Sequence, residues 1–302
     1  MSIGGKVKGI ILAAGLGTRL YPITKCISKQ MLPIYNKPMI YYPLSILMFG
    51  GIKEILIITS NLEGESFKKL LGDGSSLGLK ISYLVQKEPK GIAEAFIIGE
   101  DFIKDDTVCL VLGDNIFYGN EMPELVRSAI ADVESERQRA VVFGYPVKNP
   151  KSYGVAVTNK LGIVTDIQEK PNNPMSDCAV TGLYMYDNTC ISRSKSLKPS
   201  KRGEVEITDL NKSYVNDGVL KLEMLGRGHA WFDTGTFESF YEASNFVRSV
   251  ENRQGLMISN VHEIAFRYNY IEKHQLQAFI NTCGNNDYRH YLERLIDSRR
   301  KK

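Results

Sequence analysis

An α/β fold, with a mostly parallel twisted sheet and helices on both faces, is what the sequence predicts. Three observations carry that expectation. Over the first 115 residues, apolar β-branched runs alternate with helical stretches, beginning and ending on a strand. The runs are apolar throughout rather than at every second residue, as in residues 108–112 (VCLVL), so each strand is to be covered on both faces. Glycines at Gly50-Gly51, Gly72, Gly74 and Gly113 punctuate the alternation where an element must stop. Strands and helices in this order imply crossover connections and a Rossmann-like layered sheet.

The first strand, residues 7–14, drops into Gly15-Leu16-Gly17-Thr18-Arg19. Glycines let main-chain N–H groups come close to a ligand, and the arginine adds a fork of donors matched to phosphate oxygens. The loop therefore reads as a phosphate site, although in isolation a plain strand-to-helix turn is the better reading. It lacks both the third glycine of a dinucleotide fingerprint and the Gly-Lys-Ser/Thr of a P-loop. Residues 28–33 (SKQMLP) are too broken by proline for regular structure, and Lys29 there either folds back over the loop or stays solvated.

A helix is expected from Pro38 to Gly50-Gly51, then a buried strand over 53–59 (KEILIIT) and a helix over 63–71. A strand over 80–86 (KISYLVQ), a helix over 92–102 and the strand 108–112 follow, the last ending in Gly113-Asp114-Asn115. In such sheets ligands bind beyond the carboxyl ends of the strands. That rule sets the Gly15–Arg19 loop, Gln86 and Asp114 along one rim. Asp114 there reads as a Mg²⁺ ligand in preference to a helix cap, because Mg²⁺ takes carboxylate oxygens, water and substrate phosphates.

The second half changes character. A charged helix over 124–136 and a strand over 140–146 precede a hairpin, 153–158 and 162–170, turning at Asn159-Lys160. The hairpin ends in Glu169-Lys170-Pro171. Neighbours on a strand point to opposite faces, so both reach one pocket only where the strand ends or bulges. From spacing alone, an exposed charged edge is the preferred reading. A strand over 179–186 (AVTGLYMY), the segment 202–209 (RGEVEITD), a helix towards Asp217 and a strand over 219–225 come next. His229-Ala230-Trp231-Phe232-Asp233-Thr234-Gly235 then delivers a second aspartate to a loop. From Thr236 the chain is mainly helical, with Phe237, Phe240, Tyr241, Ser244 and Val247 expected on one packed stripe.

Composition sets the bounds. The 302 residues are 43% hydrophobic and 24% charged, an ordinary globular balance, and the net charge of +4 leaves no nucleic-acid footprint. The basic run 299–302 reads as a solvated tail, and residues 1–6 as a disordered extension. Five scattered cysteines without a Cys-x-x-Cys, and four separated histidines, argue against disulfides and a zinc site. The first apolar run is too short for a secretory signal, and no stretch reaches the ~20 apolar residues of a membrane helix. The expectation is a cytoplasmic protein with no membrane or nucleic-acid partner.

Taken together, the loop, residues 28–33, 35–42 (YNKPMIYY), 70–74 (LLGDG), 112–119 (LGDNIFYG), 169–171 (EKP), 180–184 (VTGLY), 202–204 (RGE) and 231–236 (WFDTGT) resemble the sugar-1-phosphate nucleotidyltransferases over nearly the whole chain. The resemblance implies a reaction in which an oxygen of glucose 1-phosphate attacks the α-phosphorus of dTTP in line, giving dTDP-glucose and pyrophosphate. Carried over by position, Ala14, Gly15, Gly17, Thr18 and Arg19 hold the triphosphate with Lys29 and Gln30. Gln86 and Gly91 contact the base or nucleoside, and Asp114 and Asp233 hold Mg²⁺. Asn115, Gly154, Glu169, Lys170 and Val180 surround the sugar phosphate. Arg19, Lys29, Asp114, Lys170 and Asp233 carry the catalysis. A phosphate monoester already carries the charge it attacks with, so no general base is needed.

The resemblance further implies a nucleotidyltransferase domain over 1–235, with a nucleotide-binding half of about 1–120, a smaller β-hairpin sugar-binding half over 121–235, and a helical segment over 236–302 for packing and subunit contacts. A homotetramer is expected, with Gly226–Gly228 near its contacts, and feedback inhibition by a dTDP-sugar is compatible with it. One departure bears on the nucleotide. The dTTP-using branch of the family commonly has Leu-Ala-Gly-Gly-Ser-Gly where this chain has Leu12-Ala13-Ala14-Gly15-Leu16-Gly17. The chemistry is unaffected, but a UTP-using transferase stays open, and so does a silent nucleotide-sugar sensor on the same fold. The sensor is disfavoured because all five charged residues are present.

Overall fold

The computed structural model of the protein describes residues 7–61, 64–200 and 203–298. Residues 1–6, Glu63, Arg202 and the basic run 299–302, all singled out in the sequence, lie outside them.

In chain order the first half runs β1 (Val7–Ala13), β2 (Pro33–Ile34), β3 (Lys37–Pro38), α1 (Tyr41–Phe49), β4 (Glu54–Thr59), α2 (Gly64–Leu71), β5 (Lys80–Val85), α3 (Glu94–Ile98), α4 (Glu100–Ile103) and β6 (Thr107–Leu112). Next come β7 (Asn115–Tyr118), α5 (Met122–Glu134), β8 (Ala140–Pro146), β9 (Gly154–Thr158), β10 (Val164–Glu169), β11 (Cys178–Tyr186), α6 (Cys190–Ser196) and α7 (Ile207–Asn216). The chain closes with β12 (Leu220–Met224), β13 (Ala230–Asp233), α8 (Phe237–Gln254), α9 (Val261–Arg267), α10 (Lys273–Thr282) and α11 (Asp287–Ser298).

The central sheet has the strand order β10-β9-β11-β6-β1-β4-β5, with β8 beside β11 and β12 beside β8. β1 lies parallel to both β4 and β6, Ile10 facing Leu56 on one side and Leu110 on the other, and β5 lies parallel to β4. The sheet is thus parallel through the first half, as the apolar runs predict, and turns antiparallel where β11 joins β6. Alternate residues of β1 feed two cores. Ile11 and Ala13 enter a cluster with α1, α2, α5 and the C-terminal helices α9–α11, while Ile10 enters one with α3, α6 and α7. Helices therefore cover both faces. No helix among the described residues is long and apolar enough to cross a membrane.

Three local expectations are corrected, and one pairing is new. The first helix starts at Tyr41 and not at Pro38, because residues 33–38 fold back on themselves as the β2–β3 pair. The helix expected over 92–102 is two short helices joined at Gly99, whose backbone sits outside the helical region there. β7 and β13 pair as a small separate antiparallel ladder. On α8, Phe240, Ala243, Phe246, Val247 and Val250 face the core, whereas Phe237 and Tyr241 are 47% and 66% exposed. The packed stripe lies to one side of the expected one, and a Thr236–Ser239 capping box and Gly255 bound the helix.

Candidate active site

The loop after β1 owes its shape to Gly17, which adopts a left-handed φ of 59°; a Cβ there would lie 2.8 Å from the Thr24 side chain. The Thr24 hydroxyl donates to the Gly17 carbonyl at 2.9 Å and holds the turn. Ala14, where the dTTP-using branch of the family has glycine, keeps a negative φ, so its methyl costs no strain. A short 3-10 turn then carries Thr18 and Arg19, both exposed. Arg19 lies against Gly235, where a Cβ would come within 2.6 Å of its guanidinium. The phosphate-like loop and the second aspartate segment therefore meet, although more than 200 residues separate them in sequence.

At the end of β6, Lys29 Nζ lies 2.5 Å from Asp114 Oδ2, with the lysine side chain only 5% exposed. Asn115 Nδ2 donates to Asp114 Oδ1 at 3.0 Å. Burial works against charge on Asp114, but the ammonium and the amide outweigh it and hold the carboxyl below its ordinary range. Asp233 faces Asn115 across the β7–β13 ladder, and the Thr234 hydroxyl donates to the Asp114 carbonyl at 2.7 Å. Asp233 has no hydrogen-bond donor or ion pair of its own among the described residues. Burial and then the Asp114 charge push its carboxyl up to about 6, against the pull of Lys29, Arg19 and Lys170. All five charged residues singled out in the sequence thus share one electrostatic neighbourhood.

Beside them opens a cavity of about 280 Å³. Gly15, Gln86 and Gly91 contribute to its lining from the first half of the chain, and Gly154, Glu169, Lys170 and Val180 from the second. Glu169 ends β10 and Lys170 turns out at φ 41°, which is how two neighbours reach one pocket. Their charged ends are 3.5 Å apart, and the Thr208 hydroxyl donates to Glu169 Oε2 at 2.6 Å. The exposed-edge reading of this dipeptide gives way to a pocket wall.

Two candidates sit differently from the rest. Gln30 is 2% exposed, and its carboxamide oxygen accepts from Ser28 at 2.8 Å. Asn115 is equally buried; its Oδ1 accepts from Trp231 Nε1 at 2.6 Å and from Gly182 N–H at 3.0 Å. The Gly182 N–H is available because the β11–β8 pairing breaks between Val180 and Tyr184, a bulge beside the site. Asn115 therefore braces Asp114 from behind. Among the described residues no group of three carboxylate, histidine or cysteine ligands gathers, so a metal here would rest on the two aspartates. Their fit to a hard divalent cation is chemical: oxygen donors only, two like charges held near each other, and one of them without a donor.

Thr208 and Tyr153, which also line the cavity, and Glu94, which bonds Gln86, were not singled out in the sequence. Thr208 lies in the RGEVEITD segment, whose acidic and hydroxyl content ahead of a helix was the available signal.

A family model described as nucleotidyl transferase matches residues 8–250. The glucose-1-phosphate thymidylyltransferase of Neisseria meningitidis serogroup A is 54% identical over 290 residues, covering 96% of this chain and 99% of its own. That of Mycolicibacterium smegmatis is 48% identical over 291 residues, covering 96% and 99%. A crystal structure from Bacillus anthracis, described as a glucose-1-phosphate thymidylyltransferase in complex with sucrose, aligns with a TM-score of 0.74 at 39% identity, over 80% of this chain and 96% of its own. A UDP-glucose pyrophosphorylase bound to UDP-glucose aligns at 0.71 and 27% identity, over 80% and 98%.

Proposed function

The chain belongs to the nucleotidyl transferase family, and from that premise we propose that it transfers dTMP from dTTP to α-D-glucose 1-phosphate, releasing pyrophosphate. One observation carries the reading: Asp114, paired with Lys29, and Asp233, beside Arg19, lie near a cavity that both halves of the chain line.

In this reading the Gly15–Arg19 loop and Lys29 hold the triphosphate, and Gln86 and Gly91 hold the base. Glu169, fixed by Thr208, takes sugar hydroxyls, and Lys170 takes the sugar phosphate. An oxygen of that phosphate forms a bond to the α-phosphorus as the bond to the bridging oxygen of the leaving pyrophosphate breaks. Two anions must approach each other, so Arg19, Lys29 and Lys170 spread the charge that develops between them. A divalent cation, Mg²⁺ by the hardness of its donors, would be held by Asp114 and Asp233 and would supply further charge neutralisation at the phosphates. Asn115 and Gln30 support the site from behind.

On the same reading, residues 1–235 are the catalytic domain, with nucleotide and sugar-phosphate halves meeting near residue 120. Residues 236–302 serve packing and subunit contacts in a homotetramer, which responds to a dTDP-sugar as feedback inhibitor and works in the cytoplasm, where its five free cysteines stay reduced. The test is pyrophosphate release with Mg²⁺, crossing dTTP, UTP, ATP, GTP and CTP with glucose-, galactose- and glucosamine-1-phosphate. The expected result is a preference for dTTP with glucose 1-phosphate. Preference for UTP would keep the chemistry and change the nucleotide, a difference of one methyl worth ~1–3 kcal/mol. Nucleotide binding without turnover in any combination would overturn the assignment in favour of a sensor.

A further inference from the structure

We infer that Glu94 sets the base selectivity of the nucleotide site by fixing which way the Gln86 carboxamide points. The inference rests on the reading of Gln86 as a base contact.

Gln86 follows directly on β5 at the ligand-binding rim and is 6% exposed, its backbone N–H donating to the Thr59 carbonyl at 2.9 Å. Its Nε2 lies 2.6 Å from Glu94 Oε2 and 3.3 Å from the Gly91 carbonyl oxygen. A carboxylate and a carbonyl can only accept hydrogen bonds, so both must face the NH₂ end of the amide. The orientation is dictated by the chemistry of the two neighbours. Together they use both N–H donors of the side chain.

What remains for a ligand is Oε1, to which no described residue donates. Gln86 therefore enters the cavity as an acceptor alone. Thymine and uracil present an N–H at N3, which such an acceptor satisfies. Cytosine presents a bare nitrogen at the same place, and the two lone pairs would oppose each other. Glu94 touches no substrate in this scheme; it is a positioning residue. It is half-buried as the first residue of α3, whose start is tied down by the Ala93 N–H donating to the Val205 carbonyl at 3.3 Å.

The test compares kcat/KM for dTTP, UTP and CTP, each with glucose 1-phosphate, in the intact wild type and in three variants. Glu94→Leu keeps the bulk and removes the shorter, charged acceptor, leaving only the 3.3 Å contact to the Gly91 carbonyl to hold the amide. The dTTP-to-CTP ratio is expected to fall at least about tenfold while the dTTP-to-UTP ratio holds, since both of those bases carry N3–H. Glu94→Gln still offers a carbonyl to Nε2 and should keep the ratio within about threefold of wild type. Glu94→Lys can only donate; it turns the amide over and shifts the ratio towards CTP even if Glu94→Leu folds poorly. Equal losses on dTTP and CTP in the Leu and Lys variants, with the ratio intact, would overturn the inference and leave Glu94 a structural residue. A wild type that does not turn over dTTP would instead overturn the reading on which it rests.

Discussion

The indole Nε1 of Trp231 donates a 2.6 Å hydrogen bond to Oδ1 of Asn115, whose own amide nitrogen holds Asp114. The tryptophan that precedes Asp233 by two positions thus also steadies the other aspartate. Trp231→Phe keeps the ring between Tyr145 and Tyr153 and deletes the donor. The Gly182 N–H still satisfies that oxygen, so the loss is about 0.5–1.5 kcal/mol and kcat should fall about two- to tenfold, with little change in KM for glucose 1-phosphate. Unchanged kcat in steady-state assays would show that Asn115 is held without it.

A second long-range pair supports the Lys29 segment. Lys37 Nζ meets Glu251 Oε1 at 2.6 Å with the lysine side chain fully buried, and Asn36 Nδ2 and the Ile258 N–H bond the same carboxylate. Burial lowers the Lys37 pKa, against the pull of Glu251, so the ammonium is costly to hold without its partner. Lys37→Met strands a buried carboxylate and is expected to cost about 3–5 kcal/mol in denaturant unfolding. Combining it with Glu251→Leu should recover only part of that, because Asn36 and Ile258 lose their acceptor. Additive losses from the two changes would contradict the pairing.

Much of this was legible in the sequence. Continuous apolar runs gave the parallel half of the sheet, and the carboxyl-end rule brought the Gly15–Arg19 loop, Gln86 and Asp114 to one rim. Periodicity could not show what depends on distant partners. The β2–β3 turn forms where residues 33–38 receive the buried Lys37–Glu251 pair, and α8 lies 200 residues further on. The inward turn of Asn115 needs a bulge in β11 and an indole from β13, neither of which leaves a local pattern. Glu94 lies in the stretch expected only as a helix, and nothing local marks it, since only the folded chain sets it against Gln86.

His262 gives a pH signature. It is 5% exposed, stacks on Phe279 at 3.6 Å between ring centres and shares a 2.9 Å hydrogen bond with Tyr288. Burial holds its pKa down at about 3, against 6.5 for the free side chain. Between those values the unfolded chain binds the extra proton, so stability is lost as pH falls below 6.5. From pH 7 to 5 this group should remove about 2 kcal/mol. His262→Gln, which retains a partner for Tyr288, should flatten that part of the profile in urea titrations; an unchanged slope would mean that the imidazole titrates normally.

The central claim is that Asp114 and Asp233 work as one site. It is tested most directly by initial rates of pyrophosphate release from dTTP and glucose 1-phosphate with Mg²⁺, in wild type, Asp114→Asn and Asp233→Asn, with thermal melts to confirm folding. Each substitution keeps the shape and removes one charge of the pair, and each is predicted to lower kcat by about a thousandfold while the protein stays folded. Turnover near the wild-type rate in either folded variant would contradict the account.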